Sequence, residues 1–159
     1  MRLLPEEKRD RKLAVASARL FVSSARVNIN SLDWNTGGRL LDLTNVTRLV
    51  NIFAQYECQR FNKRYWVDVE ISEEQLKHIL NSSHLTLNDL RDPLKDNYLP
   101  LLNVPESFKI RCKFGKYRLC AALQFFEGLP GKPWWAVNIY YAPRRKGFYF
   151  LLDFHANFI

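Results

Sequence analysis

The chain has 159 residues, 47% of them hydrophobic and 14% aromatic, with a formal charge of +8 and a pI near 9.6. That length builds one domain with its own core, and that composition excludes a disordered chain. The positive balance favours phosphate-bearing or otherwise acidic partners, to be weighed against a merely basic surface.

The start, MRLLPEEKRDRK, carries charges where a signal peptide needs an apolar run, and no stretch is long and apolar enough to span a bilayer. Three cysteines, Cys58, Cys112 and Cys120, form no CxxC pair and no Cys/His zinc spacing, so no structural metal is expected. An odd cysteine count without a signal peptide implies an intracellular protein, of nucleus or cytoplasm. The glycosylation triplets at Asn45 and Asn81 then carry no weight.

In chain order, residues 1–20 mix charge with Leu and Ala and predict a loosely docked helical segment ahead of a single domain, 21–159. Residues 24–34 alternate Val27, Ile29 and Leu32 with polar residues and predict a strand. Asn35–Gly38 predicts a loop. Thr44 is a candidate N-cap for a helix to about Gln55, with Val46, Leu49, Val50 and Phe53 at helical spacing. A short strand is predicted over Arg64–Ile71. Ser72 and Gln75 form a capping box for a helix that buries Leu76, Ile79 and Leu80. Thr86–Leu90 adds a helical turn, and a loop with Pro93, Pro100 and Pro105 follows.

Phe108, Ile110, Cys112 and Phe114 then alternate with Lys109, Arg111 and Lys113, a two-residue period with one apolar and one basic face. After Gly115 the spacing of Leu119, Ala122, Leu123 and Phe126 predicts a helix ending near Gly128. Trp134–Tyr141 predicts a strong strand, Arg144–Lys146 a basic turn, and Phe148–Leu152 a closing strand. Alternating strands and helices place the fold in the α/β (α+β) class, a small mixed sheet with flanking helices.

The stretch with the most chemical content is the strand–glycine–helix turn around Gly115. The first N–H groups of a helix have no partner within it, and the helix dipole favours an anion there. Lys116 and Arg118 oppose that dipole unless an anion lies between them. Gly115, Lys116, Tyr117 and Arg118 are the candidate phosphate-binding residues, Arg118 as a bidentate donor and Lys116 as a point charge. Lys109, Arg111 and Lys113 would extend the positive field, and Trp134 could stack a base, giving a candidate nucleic-acid face. The plainer alternative is a solvated strand face, an Arg118 paired with a carboxylate such as Glu57, and tryptophans packed in the core. Glu57, with Arg60, follows a helix expected beside the turn and is the one candidate catalytic group, against a helix-end salt bridge. Buried structural roles suit Cys112 and Cys120. His78, His84 and His155 fit no catalytic spacing.

Gly115 through Ala122 resembles the glycine-x-(Arg or His)-Arg turn of the ParB/sulfiredoxin-like superfamily, which also sits between a strand and a helix. Tyr56–Arg60, Phe114–Ala122 and Trp134–Tyr140 together resemble an uncharacterised domain family of filamentous fungi, with its "EGC.R", "LHGrHRi.AA" and "WW.VdLY" segments. The resemblance spans roughly residues 24–141. It implies a ParB/sulfiredoxin-like fold and a nucleoside triphosphate as a possible cofactor. Lys116 stands where sulfiredoxin places its reactive cysteine and ParB its glutamate, and Tyr117 where the fungal relatives carry histidine. That implies phosphate affinity without hydrolysis, and argues against sulfinic acid reduction. ParB proteins carry a helix-turn-helix domain after this fold; with only about eighteen residues after Tyr141 none is expected here, and the chain is expected to be a short or truncated member of its family.

The leading expectation is thus a binding module for the phosphate of a nucleotide or nucleic acid. A phosphotransfer or nuclease-like enzyme using Glu57 with Lys116 and Arg118, and an inert protein-interaction remnant, stay open, as do catalysis itself and oligomeric state.

Overall fold

A computed structural model describes residues 4–34, 40–92, 99–131 and 133–143. The loop expected at Asn35–Gly38, Pro93, the basic turn at Arg144–Lys146, the closing strand at Phe148–Leu152 and His155 lie outside the described residues. In chain order the elements are α1 (Pro5–Leu20), β1 (Phe21–Asn28), β2 (Leu32–Asp33), α2 (Leu43–Tyr56), β3 (Val67–Ile71), α3 (Glu73–Ser82), α4 (Leu87–Arg91), β4 (Ile110–Cys112), α5 (Lys116–Phe126) and β5 (Trp134–Tyr141).

The five strands form one mixed sheet in the order β1-β5-β3-β4-β2. β5 runs antiparallel to β1 and parallel to β3, while β4 runs antiparallel to β3 and parallel to β2. This is the α+β class expected from the alternation of elements.

The pleat divides the sheet chemically, because neighbouring side chains point to opposite faces. In β3 and β5 the pairs Val67↔Val137 and Val69↔Ile139 fall on one face, and Asp68↔Asn138 and Glu70↔Tyr140 on the other. The apolar face carries the core. Val67, Val69, Trp135, Val137 and Ile139 are each 1% exposed or less, and they join one cluster with Val46 and Phe53 of α2, Leu76 and Ile79 of α3, and Leu119 and Ala122 of α5. Phe53 ties the layers together, 6.1 Å from the Trp135 ring and 6.0 Å from that of Phe125. Trp135 also donates its indole N–H to the Tyr65 carbonyl at 3.0 Å, so its polar atom is satisfied.

α2 and α5 pack side by side in the same direction. The Asp42 N–H, at the start of α2, donates to the Tyr117 hydroxyl at the start of α5 (3.3 Å), and Phe53 meets Phe125 near the other ends. α1 lies across the opposite, polar face. It buries only Leu13, which is outside the main core cluster.

Local chemistry explains where elements begin and end differently from the expectation. β1 starts at Phe21 and stops at Asn28, whose side chain accepts from the Asn30 N–H and turns the chain through a 3-10 turn, Ile29–Ser31. Asn62 does the same ahead of Lys63–Tyr65, so β3 is shorter than 64–71. Asp42, not Thr44, caps α2, accepting from the Thr44 N–H at 3.0 Å. The capping box of Ser72 and Gln75 forms as expected.

Candidate functional site

Gly115 is required twice over. Its φ of +95° is a left-handed conformation, and a Cβ there would lie 2.8 Å from Val67 Cγ2. Only glycine lets the chain leave β4, pass against the buried Val67 and enter α5 at once. The helix then opens with Lys116, Tyr117 and Arg118, with no side-chain cap and no acidic residue in its first turn. The leading N–H groups have no partner within the helix and carry the positive end of its dipole.

This turn forms part of the wall of a cleft of about 810 Å³. α1 contributes Asp10, Leu13, Ala14 and Ser17 to the cleft, and the polar sheet face contributes Asp68, Asn138 and Tyr140. Six cations line it (Arg48, Lys63, Arg64, Lys113, Lys116 and Arg118) against two carboxylates, Asp10 and Asp68. Lys113 is already neutralised, since its Nζ lies 3.0 Å from Oε1 of Glu70, which is 7% exposed.

Arg118 is held but not neutralised. Its Nη1 donates to the Tyr65 carbonyl at 3.0 Å, and its guanidinium carbon sits 5.0 Å from the Tyr65 ring centre. Among the described residues no carboxylate pairs with it. Burial pushes its pKa down, partly offset by Tyr65, yet a guanidinium stays protonated. No side-chain nitrogen or oxygen among the described residues is both buried and unpartnered, so the remaining N–H groups of Arg118 are accessible from the cleft it lines. The pairing of Arg118 with Glu57 weighed above is therefore not the arrangement found.

Glu57 sits elsewhere. It is exposed, ends α2 with a φ of 63°, and does not line the cleft. Because α2 runs parallel to α5, its C-terminal end lies beside the C-terminal end of α5, and the eleven residues of α5 span about 16 Å. The expectation that Glu57 would stand beside the basic turn is corrected. Among the described residues Glu57 also makes no ion pair with Arg60.

The candidate nucleic-acid residues divide. β4 is only three residues long, so Lys109 and Lys113 lie beyond its ends. Lys113 faces the main cleft, whereas Lys109 lines a separate cleft of about 570 Å³ with Trp134. Arg111 is exposed between Asp33 of β2 and Glu70 of β3 in the sheet register. Trp134 has its π-system engaged, with the Arg60 guanidinium 3.9 Å and that of Arg26 5.1 Å from its ring, and Phe61 edge-on at 5.3 Å. Trp135 is the core member of the pair and Trp134 the half-buried one.

Cys112 is buried, as expected, whereas Cys120, expected to be buried too, is half-buried like Cys58. Burial raises Cys112 to about 12, helped by the Asp33 charge, and Cys58 to about 11 despite Arg60. Among the described residues no group of three or more His, Cys, Asp or Glu could hold a metal, and no helix is long and apolar enough to cross a membrane.

Residues 20–151 match the family model described as the N-terminal domain of a protein of unknown function, DUF3723. The chain belongs to that family. No curated protein and no solved structure matches it. In this DUF3723 domain the turn, Asp68 and Asn138 fall inside the matched stretch, and the α1 side of the cleft precedes it.

Asp68, the carboxylate that the sheet contributes to this site, is not among the candidate site residues read from the sequence, nor are its neighbours Asn138 and Tyr140. Their signal was present as polar residues at alternate positions of otherwise apolar strands, Val67-Asp68-Val69 and Val137-Asn138-Ile139.

Proposed function

We propose that this domain is a phosphate-recognising binding module whose site is the cleft at the Gly115–Arg118 turn. The observation that carries the reading is Arg118, a part-buried guanidinium with no carboxylate partner among the described residues, beside an uncapped helix start. A cation so placed keeps N–H groups for a ligand, and phosphate matches their fork geometry. The likeness of the turn to that of the ParB/sulfiredoxin-like superfamily points the same way, since there it holds a nucleoside triphosphate. The cleft, not the Lys109–Trp134 side, is the site, because the free guanidinium and the helix start meet there.

Ligand-induced stabilisation tests this. Tripolyphosphate, nucleoside triphosphates and short oligonucleotides are each added in a thermal melt at fixed salt. Anything that binds the folded state alone raises Tm in a saturable way. The reading expects a shift with at least one phosphate ligand, reduced by Arg118→Ala. Stabilisation by oligonucleotides alone, with Lys109 and Trp134 substitutions weakening it and Arg118→Ala not, would move the site to the other cleft. No shift with any of these ligands would overturn the reading.

A further inference from the structure

A carboxylate is out of place in a site built only for phosphate, and the cleft contains one whose geometry is specified in detail. The parallel register of β3 and β5 sets Asp68 beside Asn138. The Ser24 hydroxyl donates to Asn138 Oδ1 at 2.7 Å, which turns the amide so that Nδ2 donates to Asp68 Oδ1 at 3.1 Å. The chain Ser24–Asn138–Asp68 thereby fixes the plane of the carboxylate.

The second oxygen, Oδ2, accepts from no described group. It is not buried without a partner, so it opens to solvent in a residue that lines the cleft. Lys113, the cation that lowers its pKa, is committed to Glu70 at 3.0 Å. Burial raises the Asp68 pKa more than Asn138 and Lys113 together lower it, so this carboxylate has fewer donors than its ionised form would use.

An ionised carboxylate only accepts hydrogen bonds. A phosphate at neutral pH repels it. The group that meets Asp68 must therefore bring N–H or O–H donors on the same ligand that brings phosphate to the turn. The exocyclic amine or ring N–H of a nucleobase, and the hydroxyls of ribose, are such donors. We propose that Asp68 is the specificity-determining residue of the cleft, and that through it the site takes a nucleoside phosphate in preference to a bare polyphosphate. This rests on the phosphate reading of the same cleft.

Asp68→Asn tests the assignment by the sign of its effect. It removes a negative charge from a cationic site, so tripolyphosphate should bind more tightly. It also puts an amide where a pure acceptor stood, so a nucleoside triphosphate read by Asp68 should bind about tenfold more weakly, the worth of one charge-assisted hydrogen bond. Calorimetric titrations of tripolyphosphate, CTP, UTP, ATP, ITP and deoxy-CTP into wild type and variant give the comparison. CTP against UTP and ATP against ITP exchange an amine for a carbonyl, while CTP against deoxy-CTP removes a ribose hydroxyl, so base and sugar donors are read separately. Asp68→Glu keeps the charge but displaces it, and should weaken the nucleotide without tightening tripolyphosphate. A melting curve on each variant confirms that it folds. If Asp68→Asn tightens every ligand alike, or changes none, Asp68 does not select the ligand. If neither tripolyphosphate nor any of the nucleotides binds wild type, the phosphate reading falls first and this one with it.

Discussion

Replacing Gly115 with alanine should destabilise the domain through two separable effects. A left-handed conformation costs an L-residue about 1–2 kcal/mol. The new Cβ would also lie 2.8 Å from Val67 Cγ2, and Val67 is fully buried in β3, next to both β5 and β4. A β-branched side chain has little χ1 freedom with which to retreat, so overpacking adds about 1–3 kcal/mol. The lower entropy of the unfolded alanine chain offsets about 0.4–1 kcal/mol. The net loss is roughly 1–5 kcal/mol, a fall in Tm of roughly 3–15 °C for a chain of this size. Gly128→Ala is the internal control, since Gly128 has a φ of +79° but nothing within 4 Å of where a Cβ would stand. Urea or thermal unfolding of both variants should show Gly115→Ala worse by about 1–3 kcal/mol, the steric part alone. In a Val67→Ala background that excess should largely vanish. Equal losses for the two glycine variants, or an excess that persists without the Val67 methyls, would refute the close approach of the turn to β3.

Two further outcomes follow from the ionisable groups. Burial raises the folded-state pKa of Asp68 above its ordinary 3.8, so the folded state holds that proton more tightly than the unfolded chain. Stability associated with Asp68 is then lost as pH rises through its folded pKa and regained below it. Asp68→Asn should accordingly be more stable than wild type at neutral pH, with the difference closing as pH falls toward 3.8; chemical denaturation across that range reads it, and a difference independent of pH contradicts the burial of the charge. The thiolate is the reactive form of cysteine, and burial holds Cys112 near 12 and Cys58 near 11. In native protein near neutral pH neither should be alkylated by iodoacetamide on a timescale that suffices once urea exposes both; mass mapping that finds Cys112 modified first under native conditions would show that the core face of β4 is open.

The parts of the fold legible in the sequence are those where one short-range rule decides. Trp134–Tyr141, an apolar and aromatic run set off by the Pro130-Gly131 turn, forms a strand of those bounds, and Ser72 with Gln75 makes the capping box their spacing requires. Boundaries failed where a single side chain bends the backbone, as Asn28 and Asn62 do, because their apolar neighbours Ile29 and Tyr65 continue the strand pattern. The turn at Gly115 was legible for the same local reason, since strand, glycine and cations are contiguous. The rest of the cleft was not. Asp68 and Asn138 are 70 residues apart and meet only through the parallel pairing of β3 with β5. Glu57 was misplaced because proximity to the turn depended on the relative direction of α2 and α5, which periodicity does not encode.

Whether the cleft holds phosphate through Arg118 is decided by a calorimetric titration of tripolyphosphate into wild type and Arg118→Ala at two salt concentrations. Wild type should show saturable binding that weakens with salt. Arg118→Ala should lose tenfold or more, consistent with removal of charge-assisted hydrogen bonds worth about 1.5–3 kcal/mol. Equal affinity of the two proteins, or no saturable binding to wild type at low salt by either tripolyphosphate or a nucleoside triphosphate, would contradict phosphate recognition at this turn.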